Sequence, residues 1–186
     1  MIEIRTLRES DDRSGFSSGD PDLDRFLRKY AGQNQFRHHI GTTYVAVESG
    51  RLAGYATVAP GHLEIEDLPA ARRKKLPRYP LPVLRLARLA VDESFQGQGL
   101  GGQLLRFVLR LSLQMAQDFG CLSVVVDAKP GAVSFYQQFG FAPLVLVEGS
   151  SPARPQPTAM FLPLGDRKST RLNSSHIQKS RMPSSA

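Results

Sequence analysis

Apolar residues recur at two spacings along the chain, and these spacings predict which segments are strands and which are helices. Runs of β-branched, aromatic and alternating apolar residues predict strands over residues 2–7, 42–48, 52–59, 83–91, 122–126, 141–147 and 160–164. Apolar positions three and four apart predict helices over residues 22–34, 69–75, 100–119 and 132–139. Strands and helices therefore alternate through the chain, which predicts an α/β (α+β) fold with a sheet flanked by helices.

Short polar, proline and glycine signals set the predicted ends of these elements. Asp20 and Pro21 suit the cap and the first turn of a helix. Pro60 and Gly61 are expected to end the strand at 52–59, since proline cannot donate to a sheet ladder. Prolines between residues 63 and 82 predict an irregular segment there.

Length and composition are those of one soluble domain with a real core. The chain has 186 residues, of which 41% are hydrophobic. No apolar run approaches the about 18 residues that a transmembrane helix needs, and the N-terminus lacks the pattern of a secretion signal. We therefore expect one domain over residues 1–164, without a membrane segment, in the cytoplasm.

The tail changes the interpretation of charge. Residues 166–176 and 180–186 resemble a translated sequencing adapter, so we expect 165–186 to be a disordered tail that is an artefact of sequencing. Without this tail the net charge falls from +7 to +3. Local charge remains marked, because residues 70–90 contain seven basic residues and no acid. Such a block is either a solvated face or a phosphate-binding surface.

Cysteine and histidine residues give no sign of a metal site. The single cysteine, Cys121, excludes an internal disulfide and is expected to be a small buried residue before a strand. The four histidines lack the spacings of metal ligands. We therefore expect no metal.

A glycine-rich turn between the predicted strand 83–91 and the helix that begins near Leu100 predicts an anion site. Glycines allow positive φ, and the first N–H groups of a helix have no partner within it, so phosphate oxygens can accept from them. Gly97, Gly99 and Gly102 also fit a dinucleotide fingerprint. That alternative is weak, because too little chain follows to build a second nucleotide-binding half.

The segment Gln96-Gly97-Gln98-Gly99-Leu100-Gly101 resembles the pyrophosphate loop of the GNAT N-acetyltransferase family. It follows Arg88-Leu89-Ala90-Val91 and precedes Asp127-Ala128-Lys129 and Phe135-Tyr136-Gln137-Gln138-Phe139, in the order of that family. The resemblance implies a mixed central sheet whose fourth and fifth strands splay apart around acetyl-CoA. It implies that the cofactor-binding residues are Leu89, Ala90, Val91, Gln96, Gly97, Gln98, Gly99, Leu100, Gly101, Gly102, Asp127 and Phe135.

The same resemblance makes Tyr136 the candidate catalytic residue, as the acid that protonates the departing thiolate. Its alternative role is packing between Phe135 and Phe139. Among carboxylates, Asp92, Glu93 and Asp127 are all as well explained by caps or turns as by a general base. An α-amino group, with a pKa of about 7.7–8.0, needs a strong base less than a lysine does. The absence of an evident base therefore favours an α-amine acceptor.

A narrower resemblance is to the TacT-like toxins, GNAT enzymes that acetylate the amino acid on charged tRNA. It is carried by Ser18-Gly19-Asp20-Pro21-Asp22-Leu23-Asp24-Arg25-Phe26-Leu27 and by Leu76-Pro77-Arg78-Tyr79-Pro80. It implies a homodimer, a ribbon-helix-helix antitoxin as partner, and a basic surface for tRNA. The candidate tRNA-binding residues are Lys29, Arg37, Arg72, Arg73, Lys74, Lys75, Arg78, Arg85 and Arg88.

Two alternatives to a tRNA-acetylating toxin remain open at the level of sequence. The first is a GNAT enzyme that acetylates a protein or a small amine. The second is a non-catalytic module that binds acyl-CoA or a dinucleotide. Turnover would separate an enzyme from the second alternative, and the identity of the acetylated amine would separate the toxin from the first.

Overall fold

The computed structural model describes residues 1–144 and 156–165 of the chain. The strands are β1 (Glu3–Thr6), β2 (Thr42–Glu48), β3 (Arg51–Leu63), β4 (Leu81–Val91), β5 (Ser123–Ala128), β6 (Ala142–Pro143) and β7 (Thr158–Pro163). The α-helices are α1 (Pro21–Arg25), α2 (Ala70–Arg73), α3 (Leu100–Asp118) and α4 (Val133–Gln138). Residues 145–147 of the strand predicted at 141–147, and the tail from residue 166 onward, lie outside the described residues.

The described strands form one seven-stranded sheet in the order β1-β2-β3-β4-β5-β7-β6. Helix α3 connects β4 to its neighbour β5, and a helical crossover of this kind joins parallel strands. The neighbouring pairs β1–β2, β2–β3, β5–β7 and β6–β7 are antiparallel. The sheet is therefore mixed, and the predicted α/β (α+β) fold is confirmed.

The chain divides into two compact units. Unit 1 contains residues 1–60 and 85–111, and unit 2 contains residues 61–84 and 112–186. In unit 1, Asp20 caps α1 by accepting hydrogen bonds from the N–H groups of Asp22 and Leu23 at 3.0 and 3.3 Å. The predicted N-cap is therefore confirmed, and Pro21 occupies the first helical position.

The core of unit 1 is built around the fully buried ring of Tyr55. Phe16 meets this ring edge-on and Phe26 stacks on it, with centroid distances of 5.6 and 6.2 Å. The Tyr55 hydroxyl donates to the carbonyl of Leu23 at 2.7 Å, which satisfies its one polar group. Leu7, Leu27, Val45, Leu52 and Ala90 complete this core.

Unit 2 has a separate core beneath strands β5 and β7. Antiparallel register pairs Ser123 with Pro163 at one end of these strands and Ala128 with Thr158 at the other. The near-continuous apolar sequence of β5 is explained by burial, since Val124, Val125 and Val126 are all at most 4% exposed. Leu63, Leu68, Leu81, Val83, Val125 and Phe161 form the core cluster.

Two boundaries differ from the sequence predictions. Strand β3 continues through Pro60 to Leu63, so the predicted end at Pro60 is wrong. The pairing of β3 with β2 stops at Val58, and a proline beyond that point removes no hydrogen bond from this ladder. The helical segment after α1 continues to Arg37 through two π-helical turns, where the prediction stopped at 34.

Candidate active site

The predicted pyrophosphate turn in unit 1 is exposed and has the backbone conformation that the sequence implied. Gly97 and Gly99 have φ values of +74° and +80°, which only glycine adopts at low cost. No atom lies within 4 Å of the position that a Cβ would occupy at either residue. The turn therefore presents bare main chain to solvent, directly before the first residue of α3, Leu100.

This conformation is held by side chains from outside the turn. The Gln96 amide donates to the carbonyls of Ser18 and Val91, both at 2.9 Å. The Asp92 carboxylate accepts from the N–H groups of Ser17 and Ser94, each at 3.0 Å. The N-terminal loop and the end of β4 are thus fastened to the turn on both sides.

Asp92 is ionised in this environment. Its residue is only 5% exposed, and burial acts to raise the pKa of its carboxyl. Hydrogen bonds from the Ser17 N–H and from the N–H and hydroxyl of Ser94 outweigh burial and hold the pKa of Asp92 below its usual value. The carboxylate is therefore a structural acceptor rather than a base waiting for a proton.

The start of α3 lies close to β3 because residue 54 is glycine. A Cβ at Gly54 would lie 3.0 Å from both the carbonyl oxygen of Ala90 and a methyl group of Leu104. Contacts this short require neighbouring atoms to move. The absence of a side chain at Gly54 therefore lets α3 begin where its first N–H groups follow the open glycine turn.

These features fit the phosphate end of a coenzyme A derivative. The space beside Gly97 and Gly99 is open because neither residue has a Cβ atom. Helix N-termini attract anions through unpaired N–H groups and the helix dipole. At the end of β4, Leu89 and Val91 are half-buried and Ala90 is buried. Gln98, Gly101 and Gly102 belong to the same turn and first helical residues.

Tyr136 lies in unit 2, on α4, inside a cluster of aromatic rings. Phe135 and Phe141 meet its ring edge-on, with centroid distances of 5.1 and 5.5 Å. Burial raises the pKa of Tyr136 to about 12, because the phenolate would lose its hydration. The hydroxyl therefore stays protonated at every physiological pH, as a proton donor must.

The other cofactor residues predicted in unit 2 lie on two elements. Asp127 is exposed on β5, opposite Ala159 of β7. Phe135 is half-buried, and its ring also lies 5.3 Å from that of Phe139. Unit 2 thus brings Phe135 and Tyr136 together, while unit 1 brings the turn residues together with the end of β4.

The nine predicted tRNA-binding residues are divided between the two units. They differ in whether they are exposed or already make contacts within the protein. In unit 2, Lys74, Lys75 and Arg78 are exposed, whereas Arg73 donates to the carbonyls of Leu68 and Glu66 at 2.7 and 2.9 Å. Arg72 is exposed, and its guanidinium lies 5.8 Å from the centre of the Phe161 ring.

In unit 1, Arg88 stacks on the ring of Phe26, with its guanidinium carbon 3.7 Å from the ring centre. Lys29 and Arg37 are exposed, and Arg85 is half-buried. Lys74, Lys75 and Lys29 are therefore exposed, whereas Arg73 and Arg88 have internal partners.

Sequence reasoning missed the residues that fasten the turn. Ser17, Ser18 and Asp24 act from more than 60 residues away, with the Ser18 hydroxyl and N–H both donating to the Asp24 carboxylate at 2.6 and 2.9 Å. In the sequence, this loop was marked only by the segment from Ser18 to Leu27 that carries the resemblance to the TacT-like toxins, without a role for its individual residues. Within residues 1–144 and 156–165, no group of three or more metal-ligating side chains occurs, and no helix is long and apolar enough to cross a membrane.

Comparison with known proteins agrees with this geometry. The family described as "Acetyltransferase (GNAT) domain" matches residues 39–143. The "tRNA-acetylating toxin" of Mycobacterium tuberculosis is 38% identical over 138 residues, which cover 74% of this chain and 82% of that protein. The structure of "AtaT complexed with acetyl-methionyl-tRNAfMet" aligns with a TM-score of 0.79 and 28% identity, over 92% of this chain and 98% of that one.

A tyrosine-to-phenylalanine mutant of AtaT, bound to the C-terminus of the antitoxin AtaR and to acetyl-CoA, aligns with a TM-score of 0.72. That match has 26% identity and covers 92% of this chain and 97% of that chain. The family match spans the glycine turn of unit 1, and the relative and the aligned structures agree with the family match. The chain is therefore a member of the GNAT acetyltransferase family, in the branch that contains the tRNA-acetylating toxins.

Proposed function

We propose that this protein transfers the acetyl group of acetyl-CoA to the α-amino group of the amino acid on charged tRNA, and thereby blocks translation. The observation that carries the acetyl-CoA part is the exposed turn at Gly97 and Gly99, whose main chain is open for phosphate oxygens. The acceptor part is supported by the relative and the neighbour whose names specify acetylated tRNA, and by the exposed cations of unit 2.

Each predicted group has a role in the reaction. Main-chain N–H groups of Gly97 to Gly102 hold the pyrophosphate, and the backbone of Leu89 to Val91 holds the pantetheine arm as an added strand would. A main-chain N–H near Val91 polarises the thioester carbonyl. Positioning of this kind can lower a barrier by about 7–11 kcal/mol.

The chemistry balances without a further reactant. The neutral amine attacks the thioester carbon, forming a C–N bond, and the C–S bond breaks. The thiolate takes the proton of the Tyr136 hydroxyl, the amine nitrogen loses its extra proton to water, and water returns a proton to the phenolate. The products are the N-acetylated aminoacyl-tRNA and coenzyme A.

Proton donation by Tyr136 is feasible although its pKa is high. A phenol with a pKa of about 12 and a thiol with one of about 8.5 differ by about 3.5 units, or about 5 kcal/mol. The same dry surroundings raise the pKa of the departing thiol, which narrows this gap. Proton transfer must therefore accompany cleavage of the C–S bond.

The comparisons support an antitoxin as a partner of this chain. One neighbour is bound to an antitoxin C-terminus, and we propose that this chain also binds an antitoxin, of the ribbon-helix-helix class. We further propose that the protein acts in the cytoplasm as a homodimer. Sedimentation of the purified protein alone would reveal a dimer, and a monomer at all concentrations would contradict that part.

The test is incubation of the purified protein with labelled acetyl-CoA and a pool of charged tRNAs. We expect label on tRNA that is lost on alkaline deacylation, because the acetyl group is then on the esterified amino acid. The matched control is the same pool after deacylation, which should take no label. Label on lysine-containing peptides but not on charged tRNA would instead assign the protein to the acetyltransferases of proteins or small amines.

A further inference from the structure

A cavity lies entirely within unit 2, and its apolar interior has no role in the proposed reaction. Its volume is about 550 Å³, and it opens to solvent beside α2. Its apolar lining is formed by Leu68, Ala71, Leu76, Leu122, Phe161 and Pro163. Because Leu68 and Phe161 belong to the core of unit 2, the floor of this cavity is fixed rather than formed by loose side chains.

The rim of the cavity is positively charged. Arg72, Lys74 and Lys75 line it, and no carboxylate is among the lining residues in the part of the chain that the structure describes. All three cations are exposed, and Arg72 is held by its contact with the Phe161 ring at 5.8 Å. An apolar depression surrounded by cations complements a ligand that carries an apolar group next to negative charge.

The cavity is separate from Asp127, one of the residues assigned to acetyl-CoA in unit 2. Its lining includes Ser123 and Pro163, which pair at one end of β5 and β7. Asp127, the predicted cofactor residue, lies four residues along β5, at about 3.3 Å per residue, and so about 13 Å away. An occupant of this cavity therefore needs no contact with that residue.

The lining favours a peptide over a nucleotide. Single-stranded nucleic acid is usually bound by stacking of bases on exposed aromatic faces. Among the described lining residues, the one aromatic side chain is that of Phe161, which is 2% exposed, and the other apolar side chains are aliphatic or proline. A leucine or phenylalanine side chain would fill such a pocket by burial alone, and adjacent carboxylates would meet the lysines.

We propose that this cavity is the docking site for an acidic peptide segment with a large apolar anchor residue, supplied by the antitoxin. The proposal rests on the proposed function, because that function supplies the partner. It adds a mechanism of inhibition. Arg72, Lys74 and Lys75 are also predicted tRNA contacts, so a docked acidic segment would exclude tRNA from those cations.

The test is selection of a display library of short random peptides against the full-length protein. We expect enriched peptides to contain a leucine or phenylalanine flanked by aspartate or glutamate. Their affinity should fall about tenfold or more for Ala71→Trp, which fills the cavity, the loss expected when a large apolar side chain stays in water. Ala70→Trp is the matched control, since Ala70 is also exposed on α2 but does not line the cavity, and it should bind as the wild type does.

A second measurement tests the contribution of the two lysine charges to peptide binding. The joint change Lys74→Gln and Lys75→Gln should weaken the enriched peptides and flatten the salt dependence of their binding. Absence of enrichment, enriched peptides without acidic residues, or equal affinity for the two tryptophan variants would each overturn the proposal. So would a loss of tRNA binding in Ala71→Trp alone, because that would assign the cavity to a nucleotide.

Failure of this proposal is distinguishable from failure of the proposed function. Transfer of labelled acetyl to charged tRNA by the unaltered protein requires no peptide. If transfer occurs and no peptide responds to Ala71→Trp, only the docking site is wrong. If peptides dock in the cavity but no charged tRNA is acetylated, the docking site stands and the reaction must be reassigned.

Discussion

The glycine turn of unit 1 and the functional residues of unit 2 are suited to their roles for opposite reasons. At Gly97 and Gly99 the absence of side chains exposes the main chain, and the flanking side chains of Gln96 and Asp92 hold its shape. In unit 2 the proposed reactive group is a side-chain hydroxyl, that of Tyr136, and the proposed tRNA contacts include exposed lysines.

This difference determines which kind of substitution abolishes the function of each region. A main-chain site fails when its conformation changes, even if no functional atom is removed. A side-chain site fails when one atom or one charge is removed, even if the fold is intact. Substitutions that alter conformation should therefore act through unit 1, and substitutions that delete single atoms should act through unit 2.

The largest effect is expected for Tyr136→Phe, which removes one oxygen atom from a buried ring. We expect kcat to fall by about 100-fold or more, the usual contribution of a general acid, while affinity for acetyl-CoA changes little. Steady-state kinetics with charged tRNA and calorimetric titration with acetyl-CoA measure the two quantities. Tyr44→Phe is the matched control, because Tyr44 is a half-buried tyrosine that is also in ring contact, with Phe107 at 4.9 Å, and has no proposed role.

Two results would contradict the role of Tyr136 as acid. One is an equal loss of kcat and of acetyl-CoA affinity, which would make Tyr136 a packing residue. The other is a wild-type kcat that declines as pH rises from about 7 to 10, since burial raises the pKa of Tyr136 to about 12 and keeps it protonated there.

The second-largest effect is expected for a substitution in the glycine turn. Gly99→Ala should weaken acetyl-CoA binding about tenfold or more, because alanine resists a φ of +80° and its Cβ enters the space left for the ligand. Gly50→Ala is closely matched, with a φ of +78° and the same open surroundings, but lies in the β2–β3 hairpin. The melting temperatures of the two variants should fall by similar amounts, and only Gly99→Ala should bind acetyl-CoA more weakly. Equal ligand affinity in the two variants would remove the turn from the site.

The turn could be predicted from sequence because its signal is local. Glycines at fixed offsets, between an apolar strand and a periodic helix, constrain the backbone without reference to the rest of the chain. Helix α3 was predicted for the same reason, since Leu104, Leu105 and Val108 recur at helical spacing and are fully buried. The order of strands and helices followed from these local patterns and from the family resemblance.

Other features could not be predicted because they depend on contacts between distant residues. The hydrogen bond from Ser17 to Asp92 joins positions 75 residues apart. Composition placed Arg73 and Lys74 in one basic block, but only the fold turns Arg73 toward two carbonyls and leaves Lys74 in solvent. The continuation of β3 through Pro60 likewise depends on where its partner strand stops.

The third effect tests which cations of unit 2 meet tRNA. Changing Lys74 and Lys75 together to Gln should lower tRNA affinity. It should also reduce the slope of log affinity against log salt by about 1–2, because binding releases fewer counterions when a phosphate contact is lost. Arg73→Gln should leave that slope unchanged and lower the free energy of unfolding by about 1.5–3 kcal/mol, because its two carbonyl partners lose a charged donor. Salt titrations and thermal unfolding of both variants measure this. A slope that drops only in Arg73→Gln would reverse the assignment.

The smallest effect tests whether the turn depends on a side chain at all. Gln96→Ala removes two hydrogen bonds of 2.9 Å, to Ser18 and Val91, and should raise the KM for acetyl-CoA about threefold, because each exposed hydrogen bond contributes less than about 1 kcal/mol. Gln98→Ala removes one longer bond, of 3.3 Å, to Ser94 within the same turn, and should leave that KM unchanged. Since both amides are exposed and two residues apart, a difference between the variants isolates the fastening of the turn to its surroundings. Equal KM values would mean that the glycine conformation alone maintains the site.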